Sequence, residues 1–199
     1  MRLDLRLTHR CLDQLWCQAV VAFVFEDDSL LTGYLSRLNE KLAGSLAQLI
    51  DIHFLTGRRG ELLLLASQER IKADKLLFVG LGPLTSFSRK TLSSVMRNVS
   101  STLERLKLHE FGITVPWIEG MKTGYVELIK STIGNLVKYY SMNKGGVADF
   151  SLKVFLSIEE RFFSDLQSLD QELRRYLDPP VADYTIVIDS SRGSVNEKV

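Results

Sequence analysis

Ala19-Val20-Val21-Ala22-Phe23-Val24-Phe25 is apolar at every position. Valine and phenylalanine fit a pleated strand better than a helix turn. A strand with one wet face would alternate; an unbroken apolar run predicts a strand buried on both faces, as in a parallel sheet covered by helices on each side. Residues 62–65 and 76–79 read in the same way, although the leucines of the first also suit a helix. Leu3, Leu5 and Leu7 alternate with Asp4, Arg6 and Thr8, which predicts a strand with one wet face.

Helical spacings fill the gaps. Leu31, Leu35, Leu38, Leu42, Leu46 and Leu49 recur by threes and fours and predict one helix with a leucine stripe. Asp27, Asp28 and Ser29 stand before it, where they can accept hydrogen bonds from its first amides. A second helix is predicted over 87–107, capped by Ser86 or Ser88, with Leu92, Val95, Met96, Val99, Leu103 and Leu106 inward. A third starts near Gly124 and buries Tyr125, Leu128, Ile129, Ile133, Leu136, Val137 and Tyr140. A fourth follows Ser157, whose spacing to Glu160 fits a capping box. Its stripe is Phe162, Leu166, Leu169 and Leu173, and Pro179-Pro180 stop it.

Further strands are predicted at 112–115, 152–156 and 184–188, and the polar stretch 190–199 reads as a disordered tail. Strands and helices therefore alternate. The fold class is α/β, a single domain over 1–189 with three layers: a mainly parallel or mixed sheet and helices on both faces.

The chain has 199 residues, 45% of them apolar and 25% charged, with a net charge of +1. That balance gives no global field for nucleic acid or an anionic membrane. Arg58-Arg59 and the pair Lys72 and Lys75 are small basic clusters without aromatic interleaving, so a solvated face explains them and nucleic acid is not expected as a partner. No run is long enough to span a bilayer, and the start lacks a signal-peptide pattern, so a cytoplasmic protein is expected. Cys11 and Cys17 then stay as thiols, and the Asn98-Val99-Ser100 sequon receives no glycan.

Three segments carry a resemblance. They are 20–28, Val-Val-Ala-Phe-Val-Phe-Glu-Asp-Asp, followed by the leucine stripe; 60–65, Gly-Glu-Leu-Leu-Leu-Leu; and 75–82, Lys-Leu-Leu-Phe-Val-Gly-Leu-Gly, followed by a capped helix. In this order and spacing the chain resembles the N-terminal domain of the leucyl (cytosol) aminopeptidase family, from about residue 16 to residue 116. The resemblance implies that domain's macro-domain-like fold. The family's chemistry lies in a separate C-terminal domain that holds two metal ions, and its signature Asn-Thr-Asp-Ala-Glu-Gly-Arg has no counterpart in this sequence. No catalytic residue, metal ligand or cofactor is therefore carried over.

Asp27 and Asp28 are adjacent carboxylates, for which helix capping is the simpler account. His9, His53 and His109 are isolated, and no HExxH, Gly-x-Ser-x-Gly or Walker pattern occurs. Gly80-Leu81-Gly82 is the best anion-loop candidate, since it joins a strand to a helix. Pro83 removes one donor there, and a tight glycine turn is the simpler account of the pattern. Asn143-Lys144-Gly145-Gly146 reads as a turn. Trp16 and Trp117 are each core residues or interface anchors.

The expected function is a non-catalytic oligomerisation, regulatory or interaction module, forming homo-oligomers or joining a full-length aminopeptidase. The first alternative is a macro-like domain that binds a nucleotide or ADP-ribose-type ligand at Gly80, Leu81 and Gly82. The second is one part of a split or truncated metal-dependent leucyl aminopeptidase.

Overall fold

In a computed structural model of the chain, the described residues are 1–27, 31–117, 121, 124–159, 161, 162, 171, 173, 175–177 and 183–189. They form strands β1 (Arg2–Thr8), β2 (Ala19–Val24), β3 (Leu62–Ala66), β4 (Lys75–Gly80), β5 (Glu110–Thr114), β6 (Ser151–Ser157) and β7 (Asp183–Asp189). The helices are α1 (Gly33–Lys41), α2 (Ser45–Asp51), α3 (Arg89–Arg105) and α4 (Tyr125–Lys144). The strands make one sheet in the order β3-β4-β2-β5-β6-β1-β7. Neighbours run parallel except β3, which pairs antiparallel with β4.

The reading of β2 holds. All six of its residues are buried. Val21 and Phe23 enter a core with α3 and α4, together with Leu77, Val79 and Ile113. Val20, Ala22 and Val24 enter a second core with Leu35, Leu38, Leu42 and Leu46 from the α1–α2 segment. Helices thus cover both faces of the central strands. The wet face predicted for β1 is present too: Arg6 pairs with Asp4 at 3.0 Å, and Lys153 of β6 pairs with Glu110 of β5 at 2.7 Å. Both cations approach the ring of Phe155 between them.

The leucine stripe is two helices rather than one. Ala43 and Gly44 take positive φ, 52° and 81°. Gly44 N–H donates to the Asn39 carbonyl at 2.8 Å and Ala43 N–H to the Glu40 carbonyl at 3.0 Å, which is a Schellman closure. The Asn39 side chain then accepts from Ala47 N–H at 2.9 Å and starts α2. Leu42 and Leu46 stay buried across this break. The cap also differs. Thr32 precedes α1 without a side-chain cap bond, and Asp27 accepts from the Leu84 amide instead. Asp28 and Ser29 lie outside the described residues.

Ser88 caps α3 by accepting from Thr91 N–H at 3.2 Å. Leu106 falls past the helix end and is 37% exposed, contrary to its inward assignment. α4 buries the predicted stripe, with Val137 partly buried. Ser157 ends β6, and its hydroxyl donates to the Arg10 carbonyl; the capping box expected with Glu160 lies outside the described residues. Phe162 stacks on Tyr125 and Leu173 is buried. Glu160, Leu166, Leu169, Pro179, Pro180 and the tail 190–199 lie outside the described residues. β3 departs from the buried-strand reading: it is an edge, with Leu62 and Leu64 37% and 40% exposed.

Glu104 joins α3 to α4. Lys144 contacts its carboxylate at 2.6 Å and Tyr139 O–H donates to it at 2.7 Å. The Lys144 bond first, and the Tyr139 bond second, hold this carboxyl below its ordinary pKa. A depressed carboxyl adds stability above its unfolded pKa and loses it as pH falls through the folded one. Glu104→Gln should cost about 1 kcal/mol or less near neutral pH. The gap from wild type in urea denaturation should close below the ordinary carboxylate range; a pH-independent gap would show that the charge plays no part.

Candidate functional site

Parallel α/β sheets place ligands at the carboxyl ends of their strands. Here β2 and β4 deliver Phe25, Glu26 and Asp27 and the turn Gly80-Leu81-Gly82 to that edge. A segment that the sequence reading had not joined to them, 57–61, folds over the turn. Gly80 N–H donates to the Glu61 carbonyl at 2.9 Å, Leu81 N–H to Val24 at 2.9 Å and Gly82 N–H to Gly57 at 2.8 Å. All three amides of the anion-loop candidate are therefore engaged inside the protein.

The glycines are required by close approach. A Cβ on Gly80 would strike the Arg58 carbonyl. Gly82 has φ of 77° and lies against the Arg59 side chain. The only sequence hint of this clamp was the pair Gly57 and Gly60 flanking Arg58-Arg59.

The charges around the turn answer one another. Asp27 accepts from Leu84 N–H at 2.9 Å. Arg59 donates to the Ser86 hydroxyl at 3.0 Å, and Arg58 stands 3.9 Å from Glu26. Glu61 accepts from both the amide and the hydroxyl of Thr56. Beside them opens a cavity of about 650 Å³, lined in part by Phe25, Glu26, His53, Thr56 and Arg58. Among the described residues no group of three or more His, Cys, Asp or Glu is gathered. With Asp27 committed to a backbone amide, the residues at this edge do not fit a two-metal donor set.

The other candidates lie apart. Asn143 donates to the Tyr139 carbonyl and Lys144 binds Glu104, so that segment closes α4. Trp117 packs edge-on to Tyr125 and Phe162 and is partly buried. Trp16 is 70% exposed, with Lys72 over its ring at 5.4 Å. Both border a second cavity of about 680 Å³ at the amino edge of β2 and β4, with Asp13, Arg37, Arg70 and Asp74. Asp13 is buried there and held by Arg37 at 2.7 Å. Cys11 and Cys17 are both free thiols. Partial burial pushes the Cys17 thiol up to about 12, and its S–H donates to the Ala19 carbonyl, which favours the protonated form near neutral pH.

A mixed sheet of this order, covered by helices on both central faces, is a macrodomain-like fold. It is similar to a Trypanosoma brucei macrodomain in complex with ADP, with a TM-score of 0.63 at 13% identity, over 83% of this chain and 67% of that one. It is also similar to a mutant tomato leucine aminopeptidase, with a TM-score of 0.58 at 11% identity, over 88% of this chain and 34% of that one.

The sequence profile described as "Cytosol aminopeptidase family, N-terminal domain" matches residues 20–140, and the chain belongs to that family. A probable cytosol aminopeptidase of Sulfurihydrogenibium sp. is 27% identical over 143 residues, which are 71% of this chain and 28% of the relative. The matched stretch is thus about a quarter of that relative's length.

Two outcomes follow from this geometry. Gly80→Ala should destabilise by about 3 kcal/mol, because the obstacle is backbone. Gly124→Ala, which meets open space, should stay within about 0.5 kcal/mol. Equal midpoints in denaturant melts would refute the clamp. In native protein no more than about one thiol should react quickly with Ellman's reagent near pH ~8, and two after unfolding; rapid reaction of both would contradict the partial burial and hydrogen bonding that hold Cys17 back.

Proposed function

We propose that this chain works by association, as a non-catalytic cytoplasmic module of the cytosol aminopeptidase family that pairs with itself or with a full-length aminopeptidase. One observation carries the reading: at the edge where an α/β domain would hold substrate, the amides of Gly80, Leu81 and Gly82 and the carboxylates of Asp27 and Glu61 are bound to the protein itself. The profile match supports it, since it covers the family's N-terminal domain. The exposed apolar residues Leu62 and Leu64 of β3 support it as well. Among the described residues no helix is long and apolar enough to cross a membrane.

A second reading is favoured by the cavity of about 650 Å³ at the same edge and by the likeness to a macrodomain in complex with ADP. A nucleotide or ADP-ribose-type ligand would rest there on Arg58 and Thr56, and would displace an internal bond to reach the amides of Gly80, Leu81 or Gly82.

Light scattering of the chain, alone and mixed with the aminopeptidase of the same cell, should show a complex larger than the monomer. A monomer that ignores the enzyme would end the association reading. Leucine-p-nitroanilide with manganese or zinc should not be turned over by the chain alone; metal-dependent turnover would restore the peptidase. ADP-ribose at about 1 mM should leave Tm unchanged. A ligand with Kd near 10 µM would add about 2.7 kcal/mol and a clear upward shift, which would favour the second reading.

A further inference from the structure

β3 is the edge strand of the sheet, and its sequence is Leu62-Leu63-Leu64-Leu65-Ala66. Natural edges are protected by charge, proline, an internal bulge or a covering element, because an open edge pairs with other strands. None of these residues is charged or proline. The ladder to β4 is fixed at both ends: Gly80 N–H donates to the Glu61 carbonyl, and Ser67 N–H donates to the Asp74 carbonyl. In an antiparallel pair the bonded positions alternate. Glu61, Leu63, Leu65 and Ser67 therefore bond inward, and the N–H and C=O groups of Leu62, Leu64 and Ala66 point away from the sheet.

Those outward groups are symmetric about Leu64. We propose that β3 is a dimerisation edge, on which a second copy of this chain pairs antiparallel about a two-fold axis at Leu64. In that register Leu62 faces Ala66 of the second copy, and Leu64 faces its equivalent. The outward groups supply about six main-chain hydrogen bonds. A large side chain opposes a small one at each end, and two leucines meet at the centre. Glu61 faces Ser67, so no like charges oppose each other along the ladder.

Both faces of the new ribbon are apolar. Leu62, Leu64 and Ala66 line one face and are exposed in the monomer. On the other face, Leu63 and Leu65 are partly buried, and Leu65 borders a groove of about 320 Å³ with Leu49 and Ile52. Ile52 is 69% exposed. Pairing would withdraw both sets from water, join the two sheets into one, and be isologous, as a two-fold contact must be. A five-residue edge is a small contact, so its dissociation constant belongs in the micromolar range.

This inference rests on the association reading and names its surface. Analytical ultracentrifugation of the full chain from about 5 to 200 µM should show a monomer–dimer equilibrium. Leu64→Lys should weaken it at least about tenfold, since it sets two like charges on the axis. Ala66→Pro should do the same by deleting an outward N–H, with no loss inside the sheet. Simple hydrophobic adhesion would survive that change. Met142→Lys, at an exposed site on α4, should leave the dimer intact. Circular dichroism melts establish that each variant folds. A dimer that persists in both edge variants would refute this surface and leave association standing. A wild-type monomer at every concentration would overturn the edge, and the reading behind it would fall too if the aminopeptidase were also ignored.

Discussion

Everything in this fold depends on β2 giving up water on all sides at once. It is flanked by β4 and β5, so both rows of its main-chain groups face parallel neighbours. Its side chains alternate between the two cores, as do those of β4 beside it. A buried main chain is tolerable only when each N–H and C=O has a partner. The ladder therefore comes before the helices in the logic of the molecule. Each buried valine or phenylalanine contributes about 1.5–3 kcal/mol, but only where a strand already carries it. A polar residue at Val21 or Val24 would be unpaired in one core whichever way the strand turned.

This constraint explains which parts of the chain were legible. β1, β2, β4, α3 and α4 announce themselves because burial imposes a period of two, an unbroken run or a period near 3.6, and each pattern is local. The break between α1 and α2 was hidden for the same reason. Leu42 and Leu46 keep a four-residue spacing and stay buried, while Ala43 and Gly44 turn the chain between them. The signal was present in Gly44 and Asn39, but a stripe of leucines outweighed it. The edge position of β3 was not legible at all. Its leucines are as apolar as those of β4, and only the order of the whole sheet separates them.

The site divides along the same line. A glycine turn between strand and helix is the common ground of anion loops and of tight packing, because both need a backbone without Cβ. What separates them is where the amides point. That is decided here by residues 57–61, some twenty positions earlier in the chain, which lie across the turn and bind Gly80 and Gly82. Glycine at position 80 answers the Arg58 carbonyl rather than a phosphate oxygen. Asp27 follows the same rule. Its position before a leucine stripe suggested a cap, and its partner is the Leu84 amide across the sheet edge. Types and spacings on one segment say which groups are available; the second segment says whether they are already occupied.

The two halves of the sheet handle exposure differently, and the contrast bears on function. On the half-exposed face of β1 and β6, Arg6 pairs with Asp4 and Lys153 with Glu110, and both cations lie over Phe155. That face is built to meet water. β3 has the same opportunity at Leu62, Leu64 and Ala66 and does not take it. Leu63 and Leu65 already pack against the α1–α2 core, so the monomer gains little from leucine at the alternate positions. Polar residues there would keep the ladder to β4 intact and lower the exposed apolar area. One open surface of this chain carries paired charges and another carries leucine, and that contrast is what motivates the proposal that the second is a contact surface.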